Sequence, residues 1–118
     1  MKNGSFIARL GYALNGVRTV CTREKSFRMH CGFALLAIAV AAVLQVELVW
    51  WAIVGLCIAL VFAAEMVNAA LEYLIDRVHP EIHDEIKHAK DAAAGAVLLA
   101  SIGTACVGVL MILDWWLE

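Results

Sequence analysis

From Cys31 to Ala64 the chain offers only two strongly polar side chains, Gln45 and Glu47, and they stand two residues apart. They divide the run into two apolar segments joined by a very short turn. Neither segment can be hidden inside a protein of 118 residues, and in hydrocarbon a backbone can satisfy its own N–H and C=O groups only by coiling into a helix. A third run without a charge extends from Ala92 to Leu113 and closes on Trp115 and Trp116, aromatic residues that favour the headgroup zone. Trp50 and Trp51 stand in the same way just after the first turn. Against the roughly 20 residues that cross a hydrocarbon core, three transmembrane helices are predicted, over about 28–45, 48–77 and 84–114. The composition agrees, with 64% hydrophobic residues, 17% charged ones and a mean hydropathy of +0.83, well outside soluble norms. The expected fold is all-α, a single integral membrane domain over 1–118.

The segment before the first span is different in kind. With Phe6 as origin of a helical wheel, Leu10, Ala13, Leu14, Val17, Val20 and Cys21 share one side, and Arg9, Tyr12, Asn15, Thr19 and Arg23 face the other. This predicts an amphipathic helix over about 5–22, lying in the membrane interface or packed on the other helices of the chain. No cleavable signal peptide is expected, because the first apolar run begins only after Arg28. All nine Lys and Arg lie in the N-terminal segment or between Arg77 and Lys90, and none lies near the Gln45 to Glu47 turn or the C-terminal tail. The bias predicts a cytoplasmic N-terminus and an outside C-terminus. The four cysteines are scattered in mostly apolar sequence and suggest neither a disulfide framework nor a zinc site.

Chemistry enters where the second span acquires acids. Glu65, Asn68, Glu72 and Asp76 follow one another at spacings of three, four and four, which places them on one helix face. Acids at the end of a membrane span are costly, and their default reading is functional. Glu65 lies roughly 26 Å along the helix from Leu48, near the cytoplasmic edge of the core, so the row runs from lipid depth to water. Pro80 can open the next helix at its first position, with Glu81, Asp84 and Glu85 near the positive end of the dipole. Neither G-x-x-x-x-G pattern continues into Lys-Ser or Lys-Thr, so no P-loop is present. His79, His83 and His88 are separated by Pro80 from a shared face and read as a solvated loop. A stripe of small residues, Ala92, Ala96, Ala100, Thr104 and Gly108, can bring helices close, within the chain or between chains. A proton-coupled transporter subunit with Glu65 as carrier is a different possibility, but Glu65 sits near one surface and its face continues as acids into water.

Glu24 before Phe27-Arg28, then E-x-x-N-x-x-x-E-x-x-x-D from Glu65 to Asp76, then A-K-D-x-A-x-G-A-V from Ala89 to Val97, closely resemble the prokaryotic diacylglycerol kinase family, which includes undecaprenol kinases. The resemblance extends from about Phe6 to Leu113. It implies a homotrimer of three-span subunits in the bacterial inner membrane, with sites shared between chains, that moves the γ-phosphoryl group of ATP to a lipid hydroxyl. Carried over, it makes Glu65 the general base, Glu24 and Glu72 the Mg²⁺ carboxylates, and Asn68 a residue that orders the site. It places Tyr12, Glu24, Glu72, Glu81, His83, Lys90 and Asp91 at the nucleotide. The acceptor it implies is diacylglycerol, giving phosphatidic acid, although His30 and the Ala93-Ala94-Gly95-Ala96 run are closer to the undecaprenol kinase branch. No nucleic-acid partner is expected.

Overall fold

A computed structural model describes residues 4–118, and among these there is helix but no strand. Four helices follow one another: α1 (Phe6–Arg23), α2 (Lys25–Leu44), α3 (Leu48–Val78) and α4 (Asp84–Leu117). The last three are long and apolar enough to cross a membrane. At 1.5 Å per residue, α3 is about 46 Å long and α4 about 51 Å, so each must project well beyond a core of about 30 Å. That excess carries the acids of α3 out of the hydrocarbon.

Ser5 starts α1 by accepting the Ala8 N–H on its Oγ at 3.2 Å, an N-cap that satisfies one of the helix's open donors. Between α1 and α2 only Glu24 leaves the helical region, at φ −109° and ψ 113°. Neither glycine nor proline makes this elbow. Arg28 secures it instead: its guanidinium donates to the Cys21 and Thr22 carbonyls at 2.9 and 3.0 Å, filling acceptors that the end of α1 leaves open. On the inner side of the bend Phe27 is buried against Val20 and Ala69, its ring 4.9 Å from that of Phe62. One residue therefore turns an amphipathic helix into a spanning one.

The other two connections use different devices. Gln45 takes a left-handed conformation, φ 53° and ψ 50°, and the Val46 N–H returns to the Ala41 carbonyl at 3.2 Å, closing α2 in the Schellman manner. Pro80 does not open α4. It lies in the non-helical stretch after α3, and the helix begins at Asp84, capped by His83, whose Nδ1 accepts the Glu85 N–H at 3.1 Å. Asp84 and Glu85 then occupy the first turn, where the dipole favours them. An imidazole cap followed by two acids is the stronger start signal here, and it lies beyond the proline.

Packing is most extensive between α3 and α4, with α2 against α3 and α1 across one end. The core is in two pieces: Val20, Phe27 and Ala69 by the elbow, and Ala41, Val54 and Met111 toward the opposite, tryptophan-bearing end. There the Trp50 Nε1 donates to Asp114 Oδ2 at 2.9 Å, tying the start of α3 to the end of α4. Only seven apolar residues are buried among those described, while Leu35, Leu56, Leu60, Leu98 and Leu99 point outward. Such a surface is unstable in water and natural in lipid. The chain is a multi-pass membrane protein.

Candidate active site

Glu65 is the one buried charged residue among those described, 3% exposed, and it lies between the two halves of the core. A carboxylate taken out of water needs partners, and α2 supplies them. Ser26 and His30 stand one turn apart on that helix and so share a face. Ser26 Oγ donates to Glu65 Oε2 at 3.1 Å, and His30 Nδ1 lies 2.6 Å from Oε1. The His30 N–H is not aimed at Oε1 closely enough to form a regular hydrogen bond, and neither atom has another partner. At 2.6 Å the two atoms are in contact, and a turn of the ring would aim an Nδ1–H at Oε1. Beyond the ring, Ser101 Oγ on α4 is 3.4 Å from His30 Nε2. Helix α2 thus meets the carboxylate directly, and α4 meets it through His30.

Farther along α3 the row becomes progressively wetter. Asn68 and Glu72 are half-buried and Asp76 is exposed. The Asn68 Oδ1 atom is buried without a hydrogen-bond partner among the described residues. Glu24, held at the elbow, accepts from the Tyr73 hydroxyl on Oε2 at 2.8 Å. Glu72, the residue before Tyr73 on α3, exerts a weaker electrostatic influence on the same phenol. The Arg23 guanidinium covers its ring at 4.3 Å, a cation–π contact that fixes its direction.

The α3–α4 connector builds a second concavity, of about 210 Å³, that brings together Glu81, His83, Lys90 and Asp91. Lys90 Nζ is 2.6 Å from Asp76 Oδ1, and Lys87 Nζ 2.7 Å from Asp91 Oδ2, so both charges of the Lys90-Asp91 pair are balanced within the chain. Tyr12 stands apart, exposed on α1. On the lipid side, a groove of about 430 Å³ extends from His30 and Ser101 past Cys57 and Val54 to Met111. Its lining is apolar except at the end beside Glu65.

Tyr73 and Ser26 were invisible to spacing arguments. Nothing in a sequence marks which phenol beside an acid will reach across to another helix. His30 could be seen, but only as a marker of one branch of a family.

A family model described as prokaryotic diacylglycerol kinase matches residues 11–112. A diacylglycerol kinase of Synechocystis is 38% identical over 103 residues, which cover 86% of this chain and 59% of that protein. The diacylglycerol kinase of Escherichia coli (strain K12) is 33% identical over 96 residues, 81% of this chain and 79% of the relative. An undecaprenol kinase of Bacillus subtilis is 29% identical over 108 residues, 92% of this chain and 88% of the relative.

The contact between Tyr73 and Glu24 is testable by its energy. A hydrogen bond to a charged acceptor that is partly shielded contributes about 1–2 kcal/mol. A double-mutant cycle of Tyr73→Phe and Glu24→Gln, read by unfolding in detergent, should show a coupling of about 1 kcal/mol. Simple additivity would remove the contact from the folded state.

Proposed function

The chain belongs to the prokaryotic diacylglycerol kinase family, and from that premise we propose that it transfers the γ-phosphoryl group of ATP to the hydroxyl of a membrane lipid, with Glu65 as general base. The observation that carries this reading is the position of Glu65, buried at the polar end of an apolar groove through its partner His30. A lipid chain lying in the groove brings its headgroup hydroxyl to the only carboxylate at that depth. The hydroxyl oxygen attacks the γ-phosphorus, ADP leaves, and the hydroxyl proton passes to Glu65. Phosphoryl transfer of this kind needs positioning and charge neutralisation more than covalent help.

The carboxylates of Glu24, which accepts from Tyr73, and of Glu72, the residue before it on α3, are hard oxygen donors that suit Mg²⁺. When bound, the ion neutralises charge on the nucleotide phosphates. Glu24 uses one oxygen on Tyr73 and keeps the other free for this task. The connector concavity, with Glu81, His83, Lys90 and Asp91, is the place we assign to the rest of the nucleotide, and Tyr12, apart on α1, is assigned to the nucleotide on the family resemblance alone. The basic end of the bundle then faces the cytoplasm, where ATP is, and the tryptophan end faces outward across the inner membrane. The sparse packing of the single chain, in which only seven apolar residues are buried among those described, supports a homotrimer whose sites are shared between chains.

Diacylglycerol is the acceptor we propose, giving phosphatidic acid. Undecaprenol is the second reading, favoured by the near full-length match to an undecaprenol kinase. Assay of purified protein in mixed micelles with the two lipids in parallel separates them, the better substrate having the higher kcat/KM. With that lipid, Glu65→Gln should lower kcat by about 10²- to 10⁴-fold with little change in either KM. Turnover within a few-fold of the parent would show that another group, or none, takes the proton.

Metal binding has its own readout. Glu24→Gln and Glu72→Gln should each weaken Mn²⁺ binding in the presence of ATP by about tenfold or more, followed by electron paramagnetic resonance. Unchanged binding in both variants would take these residues off the ion. For the shared sites, oligomers mixed from Glu24→Gln and Glu65→Gln subunits should regain activity, and verified mixtures that stay inactive would confine each site to one chain.

A further inference from the structure

A single face of α2 meets both oxygens of Glu65, Ser26 by a hydrogen bond to Oε2 and His30 by the close approach of its Nδ1 to Oε1, and the two neighbours are not equivalent. Ser26 contributes a hydroxyl, at 3.1 Å, on a residue that is itself exposed in the first turn of the helix. His30 contributes a ring, at 2.6 Å, that is largely enclosed and is backed from α4 by Ser101. A hydroxyl on an exposed serine rotates freely and is replaced at little cost by another hydroxyl. The imidazole is confined between α3 and α4.

We infer that His30 is a positioning residue for the phosphoryl transfer: its Nδ1 fixes Oε1 of Glu65, leaving Oε2 as the oxygen that receives the proton of the lipid hydroxyl. The inference rests on the proposed role of Glu65 as base. Ser26 Oγ occupies the accepting oxygen in the manner of the substrate, one hydroxyl donating to Oε2, and the acceptor hydroxyl takes its place. Ser101 can donate to Nε2, which leaves the ring proton on Nδ1, facing Glu65. A carboxylate pinned at one oxygen presents the other at a constant angle, and misplacement of such a group by about 1 Å can cost 10²-fold in rate. His30 acts through Glu65, so its contribution belongs to kcat and not to substrate affinity.

Two amides test this, because the asparagine side-chain nitrogen falls near the position of Nδ1 and that of glutamine near Nε2. Steady-state kinetics of His30→Ala, His30→Asn and His30→Gln would be compared with Glu65→Gln in the same micelles, using the preferred lipid. Expected are a loss in kcat of about 10- to 100-fold for His30→Ala and His30→Gln, recovery to within about fivefold of the parent for His30→Asn, and KM values for ATP and lipid within about twofold throughout. Equal losses in the two amide variants, or an effect confined to the lipid KM, would overturn the inference and make His30 part of the groove wall only. Failure of all three variants to assemble would overturn it in favour of a merely structural histidine. Full activity of Glu65→Gln would instead refute the proposed base itself, whatever the His30 variants did.

Discussion

A carboxylate cannot be kept at the edge of a bilayer core without partners, and most of this fold can be understood as the way Glu65 obtains them. On its own helix the residues four away on either side, Val61 and Ala69, are apolar. The partners come from α2, and α2 can present Ser26 and His30 only if it starts where it does and leans on α3 where it does. Both conditions are met by the elbow at Glu24, with Phe27 packed inward and Arg28 closing the end of α1. Removal of one member of such a set costs more than the pair contributes, since an uncompensated charge is left behind. The polar cluster therefore does as much to specify the arrangement of helices as to stabilise it.

The elbow has a second consequence, because Glu24 is its pivot. The residue that leaves the helical region is the one whose carboxylate meets Tyr73, so the bend and the tie from Glu24 to α3 are one structural event. Amphipathic helix, pivot and spanning helix follow in a chain with no spare residue. In this arrangement a water-soluble nucleotide and a lipid hydroxyl can approach the same face of α3 from opposite directions, along a row that changes from buried at Glu65 to exposed at Asp76.

Elsewhere the single chain is sparsely packed. Two small clusters and a few cross-links, Trp50 to Asp114 at one end and Lys90 to Asp76 at the other, join long helices whose outward residues are Leu, Val and Ile. In lipid the hydrophobic effect does not press such helices together, and close contact and polar ties have to serve instead. The small side chains of α4 allow that contact. Thr104 and Gly108 also line the groove beside α2, where their size leaves room.

The sequence by itself determined the class of the protein and the axis of its chemistry. Three long uncharged runs can only be helices in a bilayer, and spacings of three and four can only put Glu65, Asn68, Glu72 and Asp76 on one face. Both follow from local geometry, which one chain segment carries alone. The tertiary structure decided what faces that row. The pairing of His30 with Glu65, of Tyr73 with Glu24 and of Lys90 with Asp76 joins residues on different helices, and helical periodicity says which side chains share a face without saying which face they meet. A break between about residues 22 and 28 was legible from the change of pattern, but its narrowing to the single residue Glu24, with no glycine or proline, depends on contacts that Phe27 and Arg28 make in three dimensions. The start of α4 beyond Pro80 is a nearer case: a proline's fixed φ permits a helix to begin there, and the later cap at His83, followed by two acids, decided where it does.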